Sequence, residues 1–463
     1  MTPPSRPRLR GHPRAFALEL AACTRADWAY ATEVIARGFR THREIGGHDR
    51  RRISETVYGL IRWDRLLSSI VRHLAERGRG KPRRLSPAEE DELLLLTYEA
   101  RHGVLPEQAA GEMAAILGAP VPPDLLVGPE AGLGNTRGLD REALRRSFPT
   151  WLYERLVTDF GETEAAALAD ALNERAPLCV RCNTVRLVDT PHANAESASS
   201  GGEGRRVLIA RLRDEGVVAH PTELSSAGLV FETRVNAFGL AAFRQGLFEV
   251  MDEGSQLVAE VVAPPPRGRV VDACAGAGGK TLALAALLSG QGRVLALDVS
   301  GKKLEELRRR ARRAGLSTVA ARPITPGQPL PAEAKPGHWD RVLVDAPCSG
   351  IGTLRRNPEA RWRLTPAEVA TFPARQLSLL VDYAPLVAVG GRLVYATCTL
   401  LAEENQRVIE RFLAERREFE LFPVKEIWGK ERALVVGDGS TLQLRPNRHG
   451  TDGFFAAVLR RVR

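Results

Sequence analysis

The chain has 463 residues, 44% of them hydrophobic, a formal net charge of +10 and a pI near 9.6. That length exceeds one ordinary domain, so two or three are expected, and no run approaches the ~18 consecutive apolar residues of a membrane-spanning helix. The excess of 66 Lys and Arg over 56 Asp and Glu favours a polyanionic partner, whose phosphates release counterions on contact, although a genome that prefers arginine would give the same excess. The N-terminus, Met1-Thr2-Pro3-Pro4-Ser5-Arg6-Pro7-Arg8-Leu9-Arg10, lacks the apolar stretch of a secretory signal. Six cysteines without such a signal do not make a disulfide framework. A soluble, cytoplasmic chain is expected.

In chain order, residues 1–14 read as a disordered basic tail and 15–145 as a helical domain. Within it Ile53, Val57, Leu60, Ile61, Leu66, Leu67, Ile70 and Val71 recur at three- and four-residue spacing, and 89–99 has a Leu-rich centre. The Pro- and Gly-rich stretch 120–138 reads as a linker. Residues 146–260 form a small α/β domain. It opens on a helical stretch, 150–175, and is interrupted at 193–204 by a Ser/Gly/Glu-rich loop expected to be mobile. Cys179 and Cys182 make one C-x-x-C, with no second Cys/His pair at zinc spacing. Their segment reads as a strand, where positions i and i+3 point to opposite faces. Two packing thiols are expected, and no metal.

From residue 264 strands and helices alternate. Candidate strands are 269–273, 293–298, 317–321, 341–345 and 392–396, with helices between them that include 300–314 and a long one ending near 389. This is the pattern of a doubly wound parallel sheet over 261–463. A helix at 402–416 and two closing strands, 442–445 and 453–460, complete it. The first strand-to-helix turn holds Cys274, Ala275, Gly276, Ala277, Gly278, Gly279 and Lys280. Small residues there let a ligand approach the backbone, and a helix N-terminus favours an anionic group. Asp298 ends the next strand, where an acid can accept ribose hydroxyl protons. A triphosphate-binding P-loop would need glycine at 274, which Cys274 excludes. Lys302, Lys303 and Arg308–Arg313 are expected to form a solvated helix face.

Two further cysteines close apolar, β-branched runs: Cys348 in Asp345-Ala346-Pro347-Cys348-Ser349-Gly350, and Cys398 in Tyr395-Ala396-Thr397-Cys398-Thr399. The C-terminal ends of strands in an open parallel sheet line its ligand crevice. Two thiols there suit chemistry that adds a thiolate to a base and later removes it.

These residues resemble the RNA cytosine-C5 methyltransferases, and most closely the bacterial ribosomal RNA branch, the RsmB (Fmu/Sun) type. The resemblance rests on Asp272–Thr281, Asp345–Gly350, Ala396–Cys398 with Glu403-Glu404-Asn405, and Thr451-Asp452-Gly453-Phe454-Phe455. Leu354-Arg355-Arg356-Asn357-Pro358-Glu359, Asp252–Leu257 and Val57–Trp63 extend it over nearly the whole chain. It implies three parts: an all-α, NusB-like RNA-binding N-terminal domain, a small α/β (RRM-like) domain, and a Rossmann-like class I methyltransferase domain with a parallel sheet and an antiparallel C-terminal hairpin. It implies S-adenosylmethionine as methyl donor, held by Cys274–Lys280, Asp298 and Asp345, and RNA, specifically 16S ribosomal RNA, as partner. A monomer with no membrane or metal partner is expected.

The family's usage makes Cys398 the nucleophile on C6 of cytosine, Asp345 the group on its N3/N4 edge and Cys348 the aid to product release. The residues alone leave the order of the thiols open, since DNA cytosine methyltransferases attack with the Pro-Cys cysteine; the second thiol after Thr397 favours the RNA usage. Arg355, Arg356, Arg361 and Trp362 are candidate RNA contacts, with a solvated loop and a core Trp as the alternative. Two departures stand out. Ala277 occupies a position often held by proline, and Arg322-Pro323-Ile324-Thr325 offers no acid where one usually flanks the adenine. The second departure motivates the alternative of a non-catalytic RNA-binding ribosome assembly factor on the same fold. A small-molecule methyltransferase is a third reading, disfavoured by the basic charge and the added helical domain.

Overall fold

Apolar side chains at three- and four-residue spacing produce helices through the first 174 residues. The structure, a computed structural model, describes residues 9, 11–77, 84–103, 105–188 and 201–463. One unit comprises the chain up to Glu174 together with Leu354–Pro366. Its longest helix, Gly47–Glu76, buries all eight apolar residues named above, in one core with Leu93–Leu96 of the helix Pro87–His102. Each such side chain contributes roughly 1.5–3 kcal/mol. Ser86 and Glu89 form a capping box at the start of the second helix. Gly59 permits a close crossing, since a Cβ there would lie 2.2 Å from the Tyr98 ring.

Two expectations are corrected in this unit and a third is refined. The helix Gly11–Asp27 begins inside the expected tail, of which residues 1–8 and 10 lie outside the described residues. The stretch 120–138 is no linker: it holds the short helix Asp124–Val127 and buries Val121, Leu126, Ala131 and Leu133 in the same core. Pro and Gly break the periodicity there without removing the apolar anchors. The helical stretch 150–175 is two helices, Thr150–Phe160 and Glu162–Asn173, parted at Gly161, and both group with the helical unit.

The other unit comprises Arg175–Thr353 and Ala367–Arg463. Its smaller sheet is built from β1 (Cys179–Cys182), β2 (Ala219–Pro221), β3 (Gly228–Phe231) and β4 (Phe248–Val250) in the order β2-β3-β1-β4, all antiparallel. With the helices Gly201–Asp214 and Ala241–Arg244 after β1 and β3, this is the ferredoxin-like βαββαβ arrangement. Cys182 packs with Val180, Leu208 and Leu212, and Cys179 is also a buried thiol. The expected loop at 193–204 lies, through residue 200, outside the described residues; Gly201 already opens a helix.

The larger sheet comprises β5 (Arg269–Asp272), β6 (Arg293–Asp298), β7 (Val319–Pro323), β8 (Trp339–Asp345), β9 (Val387–Thr397), β10 (Phe419–Leu421), β11 (Leu442–Leu444) and β12 (Phe454–Arg461). The order is β10-β12-β9-β8-β5-β6-β7, with β11 also on β12. Pairings among β5–β9 are parallel, and those to β12 are antiparallel. Alternate residues bury on each face: Val270, Val294, Leu343 and Val394 on one, Val271, Leu295, Val344 and Tyr395 on the other. Such two-sided burial explains the near-continuous apolar runs. The expected long helix to 389 stops at Tyr383, and β9 begins at Val387 after a short 3-10 turn. The helix expected over 402–416 becomes a 3-10 turn, Ala402–Glu404, followed by Gln406–Glu415. The chain reverses direction across the sheet at β5, which opens a crevice at the strand C-termini. Among the described residues no helix is long and apolar enough to cross a membrane.

Candidate active site

β8 and β9 run side by side with Asp345 opposite Ala396, and the Ala346 N–H donates to the Ala396 carbonyl at 2.8 Å. The loops leaving both strands therefore start level, at the same edge of the sheet. They bring the Cys348 and Cys398 sulfurs to 3.4 Å. Glu404, buried in the turn after β9, ties the two loops together. It accepts from the Ser349 N–H at 2.9 Å, the Ser349 hydroxyl, the Thr399 hydroxyl at 3.1 Å and Gln376 Nε2 at 3.0 Å. Thr397 donates to Asn405 Oδ1 at 2.6 Å, and Asn405 Nδ2 donates to the Thr399 carbonyl at 3.1 Å. A third segment joins the thiol loops through backbone alone. The Gly352 N–H donates to the Cys398 carbonyl at 3.0 Å, and the Gly453 N–H to the Gly352 carbonyl at 2.8 Å. A Cβ at Gly352 would lie 2.1 Å from the Gly453 oxygen, so glycine is required at that crossing.

Electrostatics separate the two thiols. Donation to the Cys398 sulfur, burial, and the charges of Cys398 and Glu404 hold the Cys348 thiol well above its ordinary value. That environment disfavours the Cys348 thiolate. Lys280 Nζ lies 2.7 Å from Asp345 Oδ2 and 5.2 Å from the Phe454 ring centroid. Burial opposes its charge, yet Asp345 more than compensates and raises it. Lys280 is thus a half-buried partner of Asp345.

Around the glycine loop, Asp298 accepts from the Gly276 N–H at 2.8 Å and the Ser300 N–H at 2.7 Å, one on each oxygen. A carboxylate oxygen so engaged keeps a lone pair for a ribose hydroxyl. The loop fits the S-adenosylmethionine that the resemblance implies. A Cβ at Gly276 or Gly279 would meet nothing within 4 Å, leaving open space over the turn. Asp272 is buried, with Oδ1 unpartnered among the described residues, and burial pushes its carboxyl up to about 7. Val299, directly after Asp298, is 62% exposed, an apolar surface suited to a flat ring. Burial, with the neighbouring carboxylates, raises the Cys274 thiol, which marks it as an inert wall of the loop. At the end of β7, where no acid follows, Glu333 pairs with Arg322 at 2.9 Å, and the Ile324 N–H donates to the Asp298 carbonyl at 3.0 Å.

Of the candidate RNA contacts, Arg361 and Trp362 are engaged within the helical unit. Arg361 is fully buried in the helical unit. Its guanidinium lies 4.2 Å from the Phe148 ring centroid and donates to Asn173 Oδ1 at 2.7 Å and the Ser147 carbonyl at 3.2 Å. Trp362 donates to the Ile61 carbonyl at 2.7 Å and packs on Trp28. Arg355 is buried, and Arg356 is half-buried. Arg361 and Trp362 anchor the segment, and neither presents itself to a phosphate. The basic helix Gly301–Ala314 is likewise no purely solvated face, since Arg310 and Arg313 both pair with the buried Glu249 of β4. Glu404 is legible in the sequence only as part of the Glu403-Glu404-Asn405 motif, Arg310 only as part of a basic face, and Glu249 only as an acid in an otherwise apolar strand.

The family model for the 16S rRNA methyltransferase RsmB/F matches residues 259–460, and that for the ferredoxin-like domain of RsmF/B-like methyltransferases matches 148–190. The chain is 32% identical over 453 residues to a probable ribosomal RNA small subunit methyltransferase B of Synechocystis, covering 94% of this chain and 96% of that protein. A protein of Bacillus subtilis with the same description is 30% identical over 467 residues, 97% of this chain and 98% of its own length. The crystal structure of a methyltransferase homologue from Pyrococcus horikoshii aligns at TM-score 0.56 and 26% identity over 70% of this chain and 98% of that one. Likeness of this extent, running from the helical unit through the two-thiol crevice to the last strand, settles the lineage: the chain belongs to the S-adenosylmethionine-dependent ribosomal RNA small subunit methyltransferases of the RsmB type.

Proposed function

We propose that this chain is an RNA cytosine-C5 methyltransferase acting on 16S ribosomal RNA, with Cys398 as nucleophile and Cys348 as the group that frees the product. The observation that carries this reading is the 3.4 Å approach of the two sulfurs at the ends of neighbouring parallel strands. C5 of cytosine is a poor nucleophile until a thiolate adds to C6, after which it is enamine-like. S-adenosylmethionine supplies the electrophilic methyl group. In this reading Cys348 is the donor across the 3.4 Å sulfur contact and so stabilises a Cys398 thiolate that makes the C6–S bond. Asp345, held by Lys280, accepts from the N4 amine and from N3–H, whose proton is taken from solvent as the thiolate adds and returns to solvent as the ring re-forms.

Two of the influences that keep Cys348 protonated, its bond to the Cys398 sulfur and that sulfur's charge, vanish once Cys398 is a thioether. Cys348 can then lose its proton to solvent and remove the proton from methylated C5. The electron pair of that C–H bond re-forms the C5–C6 double bond as the C6–S bond breaks onto Cys398. The starting thiol–thiolate pair is restored, with one proton released per methyl transferred. The helical unit, as a NusB-like module, would add sequence-independent RNA contact.

The test is covalent trapping. Cys348→Ala should accumulate a protein–RNA complex that survives denaturing electrophoresis, and Cys398→Ala should form none. Wild type that methylates C5 while neither variant traps RNA would overturn the two-thiol mechanism. Calorimetry with the donor separates the assembly-factor reading, which predicts no binding.

A further inference from the structure

The smaller sheet reaches into the donor site. Arg310, on the helix after β6, donates through Nη1 to the Ala277 carbonyl at 2.7 Å, in the middle of the glycine loop. Its guanidinium is aimed by Glu249 of β4, whose Oε2 it meets at 3.1 Å. Glu249 is buried, and its other oxygen is taken by Arg313. The loop itself is built on two left-handed glycines, Gly276 at φ +54° and Gly278 at φ +89°. A segment of that kind loses conformational freedom when it orders around a ligand. Here the loop is held from both sides before any ligand arrives, by Asp298 on the Gly276 N–H and by Arg310 on the Ala277 carbonyl.

We propose that Glu249 and Arg310 are positioning residues for the methyl donor: the last strand of the ferredoxin-like sheet sets the donor loop through a buried carboxylate–guanidinium relay ending on the Ala277 carbonyl. The inference rests on the family's use of S-adenosylmethionine and deepens the donor half of the proposed function. Arg313 provides an internal control, because it pairs with the same carboxylate and packs over the Phe243 ring at 3.8 Å, whereas the Ala277 carbonyl bond belongs to Arg310.

The experiment compares Arg310→Met, Arg310→Lys, Arg313→Met and Glu249→Gln in the full chain by calorimetry with S-adenosylmethionine and by hydrogen exchange of residues 275–279 without ligand. Arg310→Met should weaken donor binding about tenfold or more and speed loop exchange to a similar degree, with the trapping behaviour of Cys348→Ala preserved in the double variant. Arg310→Lys should recover part of the loss, Glu249→Gln should fall between, and Arg313→Met should change donor affinity less than twofold. Wild-type affinity and exchange in Arg310→Met would overturn the proposal, as would equal losses in Arg313→Met, which would assign the effect to packing of the helix. Wild type that binds no donor would instead overturn the cofactor reading, and the exchange comparison would still decide the relay.

Discussion

At the scale of single residues, Glu404 is the group whose chemistry is least replaceable. Burial raises its carboxyl, while donors from Ser349, Gln376 and Thr399 favour the charged form. Bonds of this charge-assisted type contribute ~1.5–3 kcal/mol each. They span the loops of both thiols, so weakening them changes the sulfur–sulfur distance before it changes the fold. Glu404→Gln keeps the shape but puts an amide NH2 where one of the donors points. The expected result is a kcat reduced about tenfold to a hundredfold, an unchanged donor Kd and a Tm within a few degrees of wild type. An unaltered kcat in a folded Glu404→Gln protein would show that the loops hold themselves.

At the scale of elements, what was legible in the chain and what was not divide along a physical line. The strands that lead into Cys348 and Cys398 could be read because two-sided burial demands a continuous apolar run, and such runs are visible in one dimension. The glycine loop and Asp298 were legible for a related reason: a strand, a turn of small residues and a second strand ending in an acid are local. The surroundings of Arg361 and Trp362 were not legible because they depend on partners far away in sequence. Arg361 looks like a surface charge until Phe148 and Asn173 are seen around it, 213 and 188 residues earlier. Nothing in the alternation of arginines signals that. The structural reading makes a specific demand. Arg361→Ala removes a ring-stacked, hydrogen-bonded guanidinium and leaves the Asn173 carbonyl and its neighbours facing a void, a change of ~3–5 kcal/mol. The Tm of the helical unit should fall by 5 °C or more, with donor affinity unchanged. Normal stability combined with weakened RNA binding would return Arg361 to the RNA-contact role.

For the molecule as a whole, the net charge of +10 is the property that neither fold nor active site uses. Many of its arginines are consumed internally, as the pairing of Arg310 and Arg313 with Glu249 and of Arg14 with Glu92 and Glu99 shows. Those pairs consume acids as well as cations, so pairing by itself does not cancel the excess. A partner RNA would feel that excess through counterion release, with a slope of about −0.7 per neutralised phosphate for single strands. Four such phosphates would weaken binding about 50-fold between 50 and 200 mM salt. The donor, bound in a crevice through a few fixed groups, should respond by less than twofold over the same range. The measurement is KM for RNA and Kd for S-adenosylmethionine at four salt concentrations. A steep line for the first beside a flat one for the second is the expected outcome. Two flat lines would mean that recognition is confined to the crevice, and would favour a small substrate over a polynucleotide.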